Sequence, residues 1–136
     1  MSKKKVLILC TGNSARSQMA EGLLRHMAGD RFEVESAGVE PSHVRPEAIE
    51  AMSEIGIDIS EHRSKSVDEF VDEDFDYVIT VCDNARETCP VFSNAGTRIH
   101  RSFDDPAGVV GDHAVRLGAF RRVRDEIAGW LDEFVS

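Results

Sequence analysis

The sequence is poor in what would staple, anchor or basify a chain. Three cysteines in 136 residues, Cys10, Cys82 and Cys89, are too few and odd in number for the disulfide framework of a small secreted protein. In a reducing compartment such thiols are either inert filler or chemistry. The longest unbroken apolar run, Val6 to Cys10, is far too short to cross a bilayer. Lys3, Lys4 and Lys5 precede it, but no long hydrophobic segment or small-residue cleavage site follows. A cytoplasmic protein with no membrane partner is expected. Basic charge is outnumbered, 16 Lys and Arg against 25 Asp and Glu, and a net charge of −9 argues against nucleic acid as a partner. Any anion must therefore be captured locally, against the overall field. Tyrosine and tryptophan occur once each. No Pro/Gly-rich linker, internal repeat or low-complexity stretch divides the chain, so one domain spanning residues 1–136 is expected.

What is present alternates between strand and helix patterns. Lys5 to Cys10 reads as a buried strand. Ser17 to Met27 reads as a helix with Met19, Leu23, Leu24 and Met27 on one face. Phe32 to Ala37 is a second strand, closed by Gly38. Pro46 opens a helix that Gly56 ends, with Ile49, Met52 and Ile55 as its inner stripe. Ser66 to Val71 reads as a short helix within the acidic stretch 67–76. Tyr77 to Val81 and Thr97 to His100 read as strands, and Asp112 to Phe134 as a long final helix. Such alternation predicts an α/β fold whose parallel sheet is covered on both faces. Ligands of such sheets sit beyond the carboxyl ends of the strands, where Cys10 and Cys82 both fall.

Between Cys10 and Arg16 lie Thr11, Gly12, Asn13, Ser14 and Ala15, all small, with Gly and Asn able to adopt positive φ. A loop of this kind turns successive backbone N–H groups toward an anion, and the helix that follows adds its own unpaired N–H groups. Arg16 supplies a planar fork for two oxygens of a tetrahedral oxyanion. In that field Cys10 is expected to be a thiolate near neutral pH, and hence a nucleophile. Ser17 is placed to hydrogen-bond the sulfur and to cap the helix. The competing reading is an ordinary strand–helix turn holding a buried cysteine. The five histidines, His26, His43, His62, His100 and His113, belong to no recognisable motif and read as structural or exposed.

The segment CTGNSARS resembles the phosphate-binding loop of the low-molecular-weight protein tyrosine phosphatase superfamily. The likeness extends to SAG at Ser36–Gly38 and to Asp105-Pro106. It implies a three-layer sandwich with a four-stranded parallel sheet flanked by helices, Cys10 as nucleophile and Asp105 as general acid. Asp104 is adjacent, and only the match of the proline selects between them. Cys82 and Cys89, in VITVCDNARETCP, resemble the second and third cysteines of the thioredoxin-coupled arsenate reductases, a branch of that superfamily. The phosphatase branch usually places Tyr after its Asp-Pro; here the residue is Ala107.

The resemblance implies arsenate as substrate, phosphate or sulfate as analogue anions, thioredoxin as reductant, a monomer, and no cofactor. The alternatives are hydrolysis of phosphate monoesters, or an oxyanion-sensing module without turnover. Some reductases of this branch bind potassium with residues matching Asn13, Glu21, Ser36 and an acidic residue. Lys65 stands where that acid falls, so no metal is expected, and its ammonium is expected to steady Asn13. Asp83 or Asn84 as cap and Pro90 as stop suggest a short helix at 85–89. Residues 82 to 89 would then lie about 10.5 Å apart along the axis, and a disulfide between them would require unwinding.

Overall fold

Four strands among the described residues form one sheet in which every neighbouring pair is parallel. The computed structural model describes residues 3–82 and 96–136. The expected short helix at 85–89, and with it Cys89, lies outside the described residues. Strand β1 spans Lys4–Cys10, β2 Phe32–Gly38, β3 Tyr77–Thr80 and β4 Thr97–His100, and they hydrogen-bond in the order β2-β1-β3-β4. Among the described residues three α-helices accompany them: α1 Arg16–Ala28, α2 Pro46–Ser53 and α3 His113–Val135. Single 3-10 turns occupy Val67–Phe70 and Pro106–Gly108. No helix of the described residues is long and apolar enough to cross a membrane.

The sequence explains these elements. Val6, Leu7, Ile8 and Leu9 are all fully buried, so side chains on both faces of β1 are covered, as a continuous apolar run requires of a central parallel strand. Pro46 stands in the first turn of α2, where its missing N–H costs nothing. Asp112 caps α3, its Oδ1 accepting the Val115 N–H at 2.9 Å. Helix α2 stops at Ser53, short of the expected Gly56, because Ile57 N–H returns to the Met52 carbonyl at 3.0 Å and closes the helix end.

The single Tyr77 and single Trp130 belong to an aromatic cluster with Phe32, Phe103 and Phe134. Tyr77 begins β3, at the end of the sheet remote from Cys10. Chain order reverses between β1 and β3, since β1 is followed by β2 on one side and β3 pairs on the other. That crevice is the switch point at which α/β sheets bind ligands. Cys10 ends β1 on one side of it, and Cys82 follows β3 on the other.

Candidate active site

The loop from Cys10 to Arg16 is held from outside by the connection between β2 and α2. The N–H groups of Val39, Glu40, Ser42 and Arg45 bind the carbonyls of Cys10, Thr11, Gly12 and Ser14, at 3.3, 2.8, 3.1 and 2.9 Å. In a trans peptide the C=O and the following N–H point opposite ways. Four carbonyls drawn outward therefore turn the N–H groups of Thr11, Gly12, Asn13 and Ala15 the other way. The N-cap of α1 is Ala15, with no side-chain cap, so the first-turn amides stay open to a ligand. The sequence-based expectation that Ser17 caps this helix is corrected. Ser17 lies inside the first turn, and its Oγ accepts from Asn13 Nδ2 at 2.7 Å.

Asn13 fixes the loop's curvature. It is fully buried and takes φ of 47°, a left-handed conformation that asparagine tolerates better than other side chains. All four of its side-chain hydrogen-bond positions are filled. Nδ2 donates to Ser17 and Ser36, and Oδ1 accepts from Gln18 Nε2 and the Lys65 N–H, both at 2.9 Å. The close approach of β2 to the loop requires a glycine at 38. A Cβ there would sit 2.5 Å from the Thr11 carbonyl oxygen and 2.9 Å from the Asn13 nitrogen.

Cys10, Arg16 and Asp105 line one cavity of about 250 Å³, together with Thr11, Gly12, Ser14 and Ala15 of the loop. Arg16 donates from Nη1 to the Phe103 carbonyl at 3.1 Å, and its Nη2 lies 3.8 Å from Asp105 Oδ2. Asp105 is half exposed and caps the 3-10 turn through the Ala107 N–H at 3.0 Å. Asp104 points elsewhere, 3.4 Å from Arg122 of α3. Of the two adjacent aspartates, the fold brings the one before Pro106 to the cysteine.

Cys82 is buried, 3.2 Å from Thr11 Oγ1, and close enough to Cys10 to act on its charge. The neighbouring Cys82 thiol and burial push the Cys10 thiol above the usual cysteine range, against the pull of Arg16 and the Thr11 amide. In this unliganded state burial and the neighbouring Cys82 therefore work against the thiolate that Arg16 and the loop favour.

Behind the loop, Ser36 Oγ donates to Glu21 Oε1 at 2.6 Å, and the Lys65 ammonium lies 3.7 Å from that same oxygen and pairs with Glu35. The ammonium therefore reaches Glu21, whereas Asn13 is held by the Lys65 backbone. Sequence reasoning missed Gln18, which is fully buried and binds Asn13, the Arg63 carbonyl and His62. It also missed Ser64, whose Oγ supports the Gly12 carbonyl at 3.0 Å. The polar Gln18 within an apolar helix face was the available signal for the first; nothing local marks the second.

The chain belongs to the low molecular weight phosphotyrosine protein phosphatase family, whose model matches residues 5–135. Among its relatives, an arsenate reductase of Halalkalibacterium halodurans is 46% identical over 136 residues, covering 100% of this chain and 98% of that protein. The solved structure of an arsenate reductase in the phosphate binding state is similar at a TM-score of 0.83 and 34% identity, covering 97% and 96% of the two chains. A low molecular weight protein tyrosine phosphatase from T. tengcongensis is similar at a TM-score of 0.78 and 27% identity, over 98% of each chain.

Proposed function

We propose that this protein reduces arsenate to arsenite through a relay of Cys10, Cys82 and Cys89, with thioredoxin as the terminal reductant. The observation that carries the reading is a second buried thiol, Cys82, 3.2 Å from Thr11 Oγ1 beside the cavity that Cys10, Arg16 and Asp105 line. Ester hydrolysis needs a nucleophile, a loop and an acid; a second buried thiol beside the loop serves electron transfer.

Arsenate enters with its oxygens toward the loop amides and Arg16. Cys10 gives its proton to an arsenate oxygen and attacks arsenic as the thiolate, and Asp105 protonates the departing oxygen as water. Cys82 then attacks the Cys10 sulfur. The sulfur–arsenic pair stays on arsenic, which leaves as trivalent arsenite, and a Cys10–Cys82 disulfide remains. Cys89 attacks Cys82, releasing Cys10 as thiolate, and two electrons from thioredoxin reduce the Cys82–Cys89 disulfide. The cavity suits a small free anion, since none of the described residues lining it is aromatic and the residue after Asp105-Pro106 is Ala107. Phosphate monoesters meet the same loop and acid, so slow hydrolysis is expected as a side activity.

The test is arsenate-dependent NADPH oxidation with thioredoxin and thioredoxin reductase, run beside p-nitrophenyl phosphate hydrolysis. Rapid oxidation that Cys82→Ser and Cys89→Ser each abolish, with hydrolysis retained, supports the relay. Sustained arsenate turnover by both variants would replace it with an external-thiol or phosphatase reading.

A further inference from the structure

Arg45 lines the same cavity as Cys10, Arg16 and Asp105, although it stands outside the Cys10–Arg16 loop. It is half-buried, and its Nε is enclosed without a hydrogen-bond partner among the described residues. Arg116, whose Nε is equally enclosed, still pairs through Nη2 with Glu47 at 2.6 Å. Arg45 has no such ion pair among the described residues. A half-enclosed cation without a counter-ion is an unfavourable arrangement that an anion would relieve.

The backbone fixes where this cation stands. Arg45 N–H binds the Ser14 carbonyl at 2.9 Å, and the residue is the N-cap of α2, followed by the rigid Pro46. Its Cα is therefore tied directly to the loop. The charge balance of the cavity gives it a task. Arg16 shares its charge with Asp105, and Glu40 also faces the cavity, within a chain of net charge −9. An entering dianion meets two carboxylates, and one arginine does not offset them.

We infer that Arg45 is a second cationic ligand of the substrate oxyanion, binding an oxygen that the loop amides and Arg16 leave uncovered. The inference rests on the oxyanion-site reading above, and its test uses inorganic phosphate, so that it does not depend on arsenate turnover. Phosphate affinity is measured by calorimetry and by protection of Cys10 from iodoacetamide, for wild type, Arg45→Gln and Arg45→Lys, beside their melting temperatures. Arg45→Gln is expected to weaken phosphate about tenfold, as loss of a charge-assisted hydrogen bond would. Arg45→Lys keeps the positive charge and recovers part of that loss. KM for arsenate rises with the phosphate Kd in each variant, and kcat/KM falls accordingly. Phosphate binding by Arg45→Gln within about twofold of wild type overturns the inference. So does an equal loss in both variants with a lowered melting temperature, which marks a structural role. Failure of the wild type to bind phosphate instead overturns the oxyanion site itself.

Discussion

At Cys10 the neighbours decide more than the residue. Arg16 and the Thr11 amide favour the thiolate, while Cys82 and burial favour the thiol, and in the unliganded pair the second influence wins. Removing the partner thiol is therefore expected to move the Cys10 pKa down. Rates of iodoacetamide alkylation against pH measure this: Cys82→Ala shifts the midpoint to lower pH by about one unit or more, a tenfold change in thiolate population. An unchanged midpoint would mean that Cys82 does not share the proton. Asp105 offers a second residue-scale prediction. Asp105→Asn keeps the turn cap but cannot donate a proton, so turnover falls about 100- to 10,000-fold. Asp104→Asn, which loses only an exposed contact with Arg122, stays near wild type. The cysteine, the arginine and the candidate acid were legible in the sequence because each belongs to a local motif. The charge of Cys10 was not, since it depends on a thiol 72 residues away that the fold brings near.

The elements themselves follow from local pattern, and their boundaries shift by a residue or two where capping decides them. Strand β1 and helix α3 were readable from apolar periodicity alone. The outer clamp on the loop was not, because four backbone hydrogen bonds from residues 39–45 carry no side-chain signature. Ser17 was misread as a cap for a related reason. Its hydroxyl is claimed by Asn13, whose conformation depends on β2 and on Lys65. The clamp makes Gly38 a sensitive position. In Gly38→Ala the new methyl meets backbone atoms at 2.5 and 2.9 Å, which can yield only by shifting the loop. A loss of about 1–3 kcal/mol by urea denaturation is expected, with weakened phosphate binding. Gly129→Ala is the control. It lies exposed within α3 with nothing near the added methyl, and helix propensity alone should stabilise it by about 0.5–1 kcal/mol. Equal stability of the two variants would contradict the clamp.

At the scale of the whole molecule, a polar network behind the loop ties its curvature to the segment that follows α2. His62 is its outer member. Arg25 Nη1, a donor only, stands 3.3 Å from His62 Nε2, so that nitrogen is the acceptor and the proton sits on Nδ1. Nδ1–H faces Gln18 Oε1 at 3.0 Å and Glu21 Oε2 at 3.5 Å, and Gln18 in turn holds Asn13. Protonation would set an N–H against a guanidinium. Burial lowers the His62 pKa below the ordinary histidine value; Glu21 opposes this, Arg25 and Lys65 act with burial, and Asp58 opposes more weakly. The unfolded chain, with a histidine pKa of about 6.5, thus takes up the proton before the native one. Native stability contributed by neutral His62 is complete above that value and is lost as pH falls through the lower, folded pKa. Glu54, Asp58 and Glu69 have lowered pKa values and add their own loss only in the more acidic carboxylate range. Urea midpoints measured across the histidine range separate the two groups. Wild type is expected to weaken steadily as the pH drops below about 6.5, while His62→Asn starts less stable and varies less over that interval. Parallel curves for the two proteins would place the acid sensitivity elsewhere than His62.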